Sequence, residues 1–147
     1  MAMQRSIQAT IDAPPERVYD TLASLEAYPS WLDLVSRVEP AKPVAGDPDA
    51  AWWVTLRAKV GPFARSKRLR MVRVIAHRAT GLRFERSEID GRDHANWTLD
   101  VGIDGDLLKT NVAVMLAYEG GLWTTPLEAV LGRQLTEAIP RLTELLT

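Results

Sequence analysis

The sequence contains no cysteine among its 147 residues. Disulfide bonds, thiolate nucleophiles and thiolate metal ligands are therefore excluded, because each of them needs a cysteine sulfur. Histidine is also scarce. The two histidines, His77 and His94, lie at metal-ligand spacing neither from each other nor from a matching carboxylate motif. We therefore expect no metal site.

An excess of charge of either sign is also lacking. The 18 Lys and Arg residues nearly balance the 19 Asp and Glu residues, which leaves a net charge of −1. Proteins that bind nucleic acids usually carry a basic excess, because neutralisation of phosphates dominates their affinity. We expect no nucleic-acid partner. No glycine-rich loop leads from a strand into a helix with nucleotide-binding spacing, so we also expect no cofactor.

Long hydrophobic runs are absent from the sequence as well. A membrane-spanning helix needs about 18 or more consecutive apolar residues, and the first eight residues hold no apolar run of signal-peptide length. We expect a cytoplasmic protein without an integral membrane segment. The length suits one domain over residues 1–147, since domains usually hold roughly 50–200 residues. We expect a monomer or a homodimer.

What the sequence does contain is a repeated alternation of apolar and polar residues. Ile7, Ala9 and Ile11 alternate with polar residues, which predicts a half-buried first strand over residues 5–11. Similar segments follow, separated by turn residues at 61–62, 81, 90–91 and 102–105. The further predicted strands are 35–38, 52–60, 63–77, 82–88, 94–101 and 107–118, which makes about seven in all.

Three helices are predicted around these strands. Pro14 and Pro15 open a short helix that ends near residue 24, and a second, broken helix follows over residues 25–34. Near the C-terminus, Thr125 is a candidate N-cap before a helix of about six turns. Pro140 interrupts that helix and predicts a kink, which either shapes a pocket or lets the helix wrap the core. The apolar stripe of the long helix comprises Leu127, Val130, Leu131, Leu135, Ala138, Ile139, Leu142 and Leu146.

Two segments resemble a known family. Residues 11–31, IDAPPERVYDTLASLEAYPSW, are similar to the opening of START-like (SRPBCC) proteins, and residues 118–142, YEGGLWTTPLEAVLGRQLTEAIPRL, resemble their last strand, diglycine turn and helix. The superfamily includes the birch-pollen-type allergens and the polyketide cyclase/dehydrase and lipid-transport family. The resemblance implies an α+β helix-grip fold, in which a curved antiparallel sheet surrounds a long C-terminal helix. It also implies apolar ligands such as lipids, polyketides or quinones.

A one-sided sheet of this kind encloses space between its inner face and the long helix. Alternation within the predicted strands places one set of mostly apolar side chains on that face. With two residues of the long helix, this set is our predicted ligand pocket: Trp52, Val54, Leu56, Leu82, Phe84, Arg86, Trp97, Leu99, Val112, Val114, Leu116, Tyr118, Leu131 and Leu135.

Arg86 is the charged member of this set. Its side chain either anchors an oxygen of the ligand, pairs with Glu88, or extends out of the mouth of the cavity. The hydroxyl groups of Tyr28 and Tyr118 offer further polar contacts, or pack as ordinary amphipathic side chains. The sequence identifies no catalytic residue.

The strand predicted over residues 63–77 cannot be oriented from its pattern. Leu69 and Met71 indicate one inward face, whereas Val72 and Val74 indicate the other, and a bulge would reconcile them. The strand also carries a cluster of basic residues, for which we expect exposure to solvent rather than phosphate binding. The cluster comprises Arg65, Lys67, Arg68, Arg70 and Arg73.

Three functions remain open at this point. The first is a carrier or sensor that binds a small hydrophobic molecule in an internal cavity, and the sequence favours binding of this kind over catalysis. The second is an enzyme like the polyketide aromatase/cyclases, which would need inward polar groups beside the cavity. The third is a co-chaperone-like interaction module that acts through its outer surface.

Overall fold

Seven antiparallel strands form a single curled sheet in the computed structural model, which describes residues 2–60, 62–120 and 124–147. The strand order across the sheet is β1-β7-β6-β5-β4-β3-β2. From β2 to β7, consecutive strands are therefore neighbours, whereas β1 joins the far edge beside β7. The strands are β1 (Ala2–Ile11), β2 (Val35–Pro40), β3 (Ala51–Val60), β4 (Phe63–His77), β5 (Gly81–Arg86), β6 (Asn96–Gly105) and β7 (Thr110–Glu119).

Side chains alternate between a buried inner face and a wetter outer face, as the sequence pattern predicts. Along β6, Trp97, Leu99 and Val101 are buried, whereas the residues between them are partly exposed. The same alternation continues along β7, where Leu116 pairs with Leu99 across the two strands. The inner face is therefore a continuous apolar surface.

Three helices accompany the sheet. Helix α1 (Pro15–Leu22) begins directly after Pro14, and a six-residue 3-10 helix (Leu25–Ser30) follows it. This second helix is shorter than the predicted 25–34. It begins after Ser24, whose hydroxyl oxygen accepts a hydrogen bond from the backbone N–H of Glu26 (3.3 Å). Two short helices between the first two strands were predicted from the sequence, and the structure confirms both.

The long helix α2 (Thr124–Leu146) begins one residue before the predicted N-cap, so Thr125 already lies inside the helix. Pro140 lies within it as well. The side chain of Leu127 lies outside the described part of the chain. Among the described helices, none combines the length and hydropathy that a bilayer-spanning segment needs. The predicted stripe buries Val130, Leu131, Leu135, Ala138, Leu142 and Leu146.

Burial of both faces, rather than a bulge, explains the conflicting pattern of β4. The pairing with β5 does shift between Arg73 and Ile75, so a bulge is present, but Val72 and Val74 stay on the face opposite Leu69 and Met71. Leu69 and Met71 belong to the main core. Val72 is fully buried on the other side, where it packs in a second small cluster. Both faces of β4 are therefore buried near its middle.

The basic cluster of β4 is not uniformly exposed, and the prediction is wrong at Arg70. This guanidinium is fully buried and donates to both carboxylate oxygens of Asp47 (2.6 and 3.1 Å). It also donates to the backbone carbonyls of Lys42 (3.1 Å) and Ser87 (3.3 Å). The loop between β2 and β3 covers the outer face at this point, which the alternation of residues within β4 could not reveal.

The turn after β6 also differs from the prediction. We expected a hairpin turn at residues 102–105, but β6 continues through Gly105 and the turn lies over 106–109. The carboxylate of Asp106 accepts from the backbone N–H groups of Leu108 (2.9 Å) and Lys109 (3.0 Å). An aspartate that satisfies turn amides in this way fixes the turn more strongly than the glycines before it.

Candidate ligand-binding cavity

A cavity of about 40 Å³ lies against the inner face of the sheet. The 3-10 helix, the segment after it and the first residue of β2 contribute to one side of its lining, and strands β3, β4, β6 and β7 contribute the rest. Its lining is largely aliphatic, with one phenol and one indole. The lining residues are Leu25, Tyr28, Leu32, Leu34, Val35, Val54, Leu56, Leu69, Met71, Trp97, Leu99 and Leu116.

The 3-10 helix places Leu25 and Tyr28 on the cavity because residues three apart in such a helix share one face. The Tyr28 hydroxyl donates a hydrogen bond to the backbone carbonyl of Leu22 at the end of α1 (3.0 Å). The Tyr28 ring also packs against Trp31, with 5.0 Å between ring centroids. These contacts hold the 3-10 helix over the cavity.

The polar atoms of the lining belong to Tyr28 and Trp97. Burial raises the pKa of the Tyr28 phenol far above its ordinary value, so the hydroxyl stays protonated and keeps its role as a donor. The Nε1–H group of Trp97 is buried and, within the described part of the chain, has no hydrogen-bond acceptor. An indole N–H can only donate. The cavity surface is formed by apolar atoms alone, so neither this N–H group nor the Tyr28 hydroxyl is exposed on it.

Charged side chains lie at one end of the cavity. Lys67 lies directly across from Leu56 on the neighbouring strand, and Arg86 lies across from Met71. The Arg86 Nε group donates to Glu88 Oε2 (2.7 Å), and these two side chains are 5% and 11% exposed. Of the three roles considered for Arg86, the structure therefore shows the pairing with Glu88.

Other contacts fix Arg86 further. One of its terminal nitrogens donates to the carbonyl of Ala95 (3.2 Å), and the other lies 3.3 Å from Nδ1 of His94. The remaining ring nitrogen of His94 lies 2.8 Å from the carboxylate of Asp90. A guanidinium with these partners is a structural link between β5 and the loop after it, because each of its three nitrogens already has a partner there.

The sequence prediction and the cavity overlap in part. Five of the fourteen predicted residues line the cavity: Val54, Leu56, Trp97, Leu99 and Leu116. The other nine are placed elsewhere by the structure, mostly as buried side chains of the core: Trp52, Leu82, Phe84, Arg86, Val112, Val114, Tyr118, Leu131 and Leu135. A ligand-binding role for either group stays a prediction.

Sequence reasoning missed seven lining residues. Leu69 and Met71 were missed because Val72 and Val74 on the opposite face are also apolar, so the alternation did not show which face points inward. Tyr28 was considered for its hydroxyl and not for its position on the cavity. Three others, Leu25, Leu32 and Leu34, come from the 3-10 helix and the segment after it, where no strand alternation applies, and Val35 is the first residue of β2. The three- and four-residue steps between Leu25, Tyr28 and Leu32 were the available signal, because this spacing places apolar side chains on one face of a helix.

Among the residues that the structure describes, no three His, Asp or Glu side chains come together in a group that could hold a metal ion. Among the described lining residues, the Tyr28 hydroxyl is the only side-chain oxygen, and it is not exposed on the cavity surface. The chemistry that this lining supports is therefore the burial of apolar surface.

Comparison with known proteins supports the fold. The structure is similar to the Zhui aromatase/cyclase from Streptomyces sp. R1128, with a TM-score of 0.68 and 15% sequence identity over 99% of this chain and 94% of that one. It is also similar to a START superfamily protein from Mycobacterium smegmatis, with a TM-score of 0.71 and 14% identity over 97% and 96% of the two chains. No curated protein sequence matches this chain.

Sequence comparison gives the family directly. Residues 11–146 match the family described as polyketide cyclase / dehydrase and lipid transport. The match covers both segments whose residues resemble START-like proteins, as well as all strands from β2 to β7. The chain belongs to the polyketide cyclase/dehydrase and lipid-transport family.

Proposed function

We propose that this protein binds one small hydrophobic molecule in the cavity beneath the 3-10 helix and acts as a carrier or sensor of that molecule. The observation that carries the proposal is the cavity itself. Twelve side chains from the 3-10 helix, the segment after it and five strands converge on it, and ten of the twelve are aliphatic. Ligand sites typically combine such a lining with a few placed polar groups.

Burial of apolar surface would supply most of the affinity. Each 100 Å² of ligand surface removed from water contributes about 2.5 kcal/mol, before the loss of translational and rotational freedom is subtracted. The affinity of a neutral ligand would therefore follow its apolar area.

Binding requires the lining to separate. The cavity measures about 40 Å³, whereas pockets that hold drug-sized molecules measure roughly 300–1,000 Å³. The 3-10 helix is the part of the lining that can move with least disruption, since it makes no strand ladder with the sheet. Met71 is a second adaptable element, because an unbranched thioether side chain changes rotamer readily.

The polar groups support binding over cyclisation. A cyclase needs groups that polarise a carbonyl of the substrate. The Tyr28 hydroxyl already donates to Leu22, and Arg86 is held by Glu88 and Ala95. The similarity to a protein named an aromatase/cyclase makes cyclisation the second candidate.

Native mass spectrometry tests the proposal. The protein is mixed with decanol, decanoate, a ubiquinone analogue with a short tail, and an aromatic polyketide, each in turn. We expect a 1:1 complex with at least one of these, and a 1:1 apolar molecule on protein purified from its own host. Turnover of the polyketide into a dehydrated product would move the conclusion to the cyclase. An empty protein that takes up none of the four would overturn both.

A further inference from the structure

Lys67 lies where the apolar inner face of β4 meets solvent. Along this face, Met71 and Leu69 are buried and line the cavity, Lys67 is half-buried, and Arg65 is exposed. Across the ladder, Lys67 pairs with Leu56, which also lines the cavity. Successive inner residues of a strand are about 6.6 Å apart. The Lys67 side chain therefore starts within one such step of the cavity wall.

The charges around Lys67 do not cancel. Arg86 and Glu88 form a buried ion pair with a 2.7 Å contact and neutralise each other. Glu88 Oε2 also accepts from the backbone N–H of Arg70 (3.3 Å), so this oxygen already has two donors. Lys67 makes no hydrogen bond or ion pair within the part of the chain that the structure describes. Lys67, Arg86 and Glu88 together therefore carry one unmatched positive charge beside an apolar cavity.

We infer that the ligand is an amphipathic monocarboxylate whose apolar part fills the cavity and whose carboxylate pairs with Lys67 at its mouth. This inference rests on the proposed function, since it specifies the ligand of the same cavity. One carboxylate neutralises the one unmatched charge of this group. A dianionic phosphate would carry more negative charge than this group can neutralise, and it would be repelled by the nearby Glu88 carboxylate. A charge-assisted hydrogen bond of this kind is about twice as strong as a neutral one.

The electrostatic state of Lys67 agrees with its position. Partial burial, and then the neighbouring Arg86 guanidinium, lower the pKa of the Lys67 ammonium below its ordinary value, while Glu88 acts in the opposite direction. An ammonium group in this state gains more from a carboxylate than a fully hydrated one does, because its charge is already partly desolvated. Binding of a carboxylate would raise the pKa again.

Isothermal titration with a matched pair of ligands tests the inference. Decanoate and decanol have the same chain length and differ in the charged head. We expect the protein to prefer decanoate by about tenfold, and we expect K67M to bind both equally, with the affinity for decanol unchanged. K67R should retain the preference, because it keeps the charge. K59M is the matched control, since Lys59 is exposed on the outer face of β3, and it should behave as the unmodified protein.

The possible failures are distinguishable. If neither decanol nor decanoate binds to the unmodified protein, the proposed function fails. If decanol binds and decanoate has no advantage, or if K67M keeps the full preference for decanoate, the pairing with Lys67 is wrong and the cavity proposal stands. NMR of the Lys67 side chain gives a readout that does not depend on a variant: its pKa should rise with decanoate and not with decanol.

Discussion

The guanidinium of Arg70 lies fully buried against the carboxylate of Asp47, with a contact of 2.6 Å between Nη2 and Oδ2. This pair joins the middle of β4 to the loop between β2 and β3. Arg70 also donates to carbonyls at Lys42 and Ser87, so one side chain links three segments. It supports β4 from the outer face at the point where Leu69 and Met71 line the cavity on the inner face.

The two members of this pair should respond differently to substitution. D47N leaves a buried guanidinium without its counter-charge, whereas R70M leaves a carboxylate that still accepts from the backbone N–H of Val44 (2.9 Å). We expect D47N to lower the free energy of unfolding more than R70M. For R70M we expect a loss of about 1–3 kcal/mol, because the carbonyls of Lys42 and Ser87 lose their donor. Urea unfolding of both variants tests whether D47N is the less stable of the two. The reverse order would mean that water reaches the Arg70 guanidinium.

Stability should fall in acid through two aspartates. The Arg70 guanidinium holds the pKa of Asp47 below its ordinary 3.8, and the Arg73 guanidinium does the same for Asp49. The folded state therefore binds fewer protons than the unfolded state below about pH 5. The stabilisation from Asp47 and Asp49 is fully present above the pKa that each carboxyl group has in the unfolded chain. It is lost as the pH falls through the lower pKa of the same group in the folded protein. We expect the urea midpoint to fall with pH below about 5, and with a smaller slope in D49N. An equal slope in both proteins would exclude Asp49 as a source.

Filling the cavity should remove binding without unfolding the protein. Leu116 lines the cavity, whereas Leu82 is equally apolar and buried but does not line it. L116F adds a ring where free volume exists, so we expect a small change in the free energy of unfolding and at least tenfold weaker binding of decanol. L82F makes the same change in a filled region and should cost about 1–3 kcal/mol while binding persists. Equal loss of binding in the two variants would contradict this assignment of the cavity.

Pro140 gives a test of whether the predicted kink of α2 matters to the ligand. The proline lacks the N–H that would bond to the carbonyl of Thr136, and it lies exposed within the helix. P140A should raise the free energy of unfolding by up to about 3 kcal/mol. An unchanged affinity for decanol would mean that the proline only lets the helix wrap the core. A changed affinity would mean that it shapes the cavity. E144A, an exposed substitution in the same helix, is the control.

Most of the fold could be predicted because its elements follow simple periodicities. The alternation in β3, β5, β6 and β7 identifies inner residues such as Val54, Phe84 and Leu99 without knowledge of their partners. The stripe of α2 is equally plain. Prediction fails where the long-range structure decides: the loop over the outer face of β4 buries Arg70, and a side chain of Asp106 moves the hairpin turn past the glycines.

The cavity was harder to predict than the core that surrounds it. Alternation shows that a side chain points inward, but not whether other side chains fill the space in front of it. Leu116 and Val114 have the same inward face on β7, yet only Leu116 is part of the described cavity lining. The difference arises from the position of the 3-10 helix, whose six residues follow no strand or long-helix period. Packing in three dimensions, rather than periodicity, determines where a void remains.

The central claim is that a ligand enters the cavity under the 3-10 helix. Intermolecular NOEs between ¹³C-labelled decanol and the methyl groups of the protein test it most directly. We predict NOEs to Leu116, Leu99 and Val54, which line the cavity. NOEs confined to Leu107 and Leu108, which are 85% and 77% exposed at a hairpin turn, would show surface adsorption and would contradict the account.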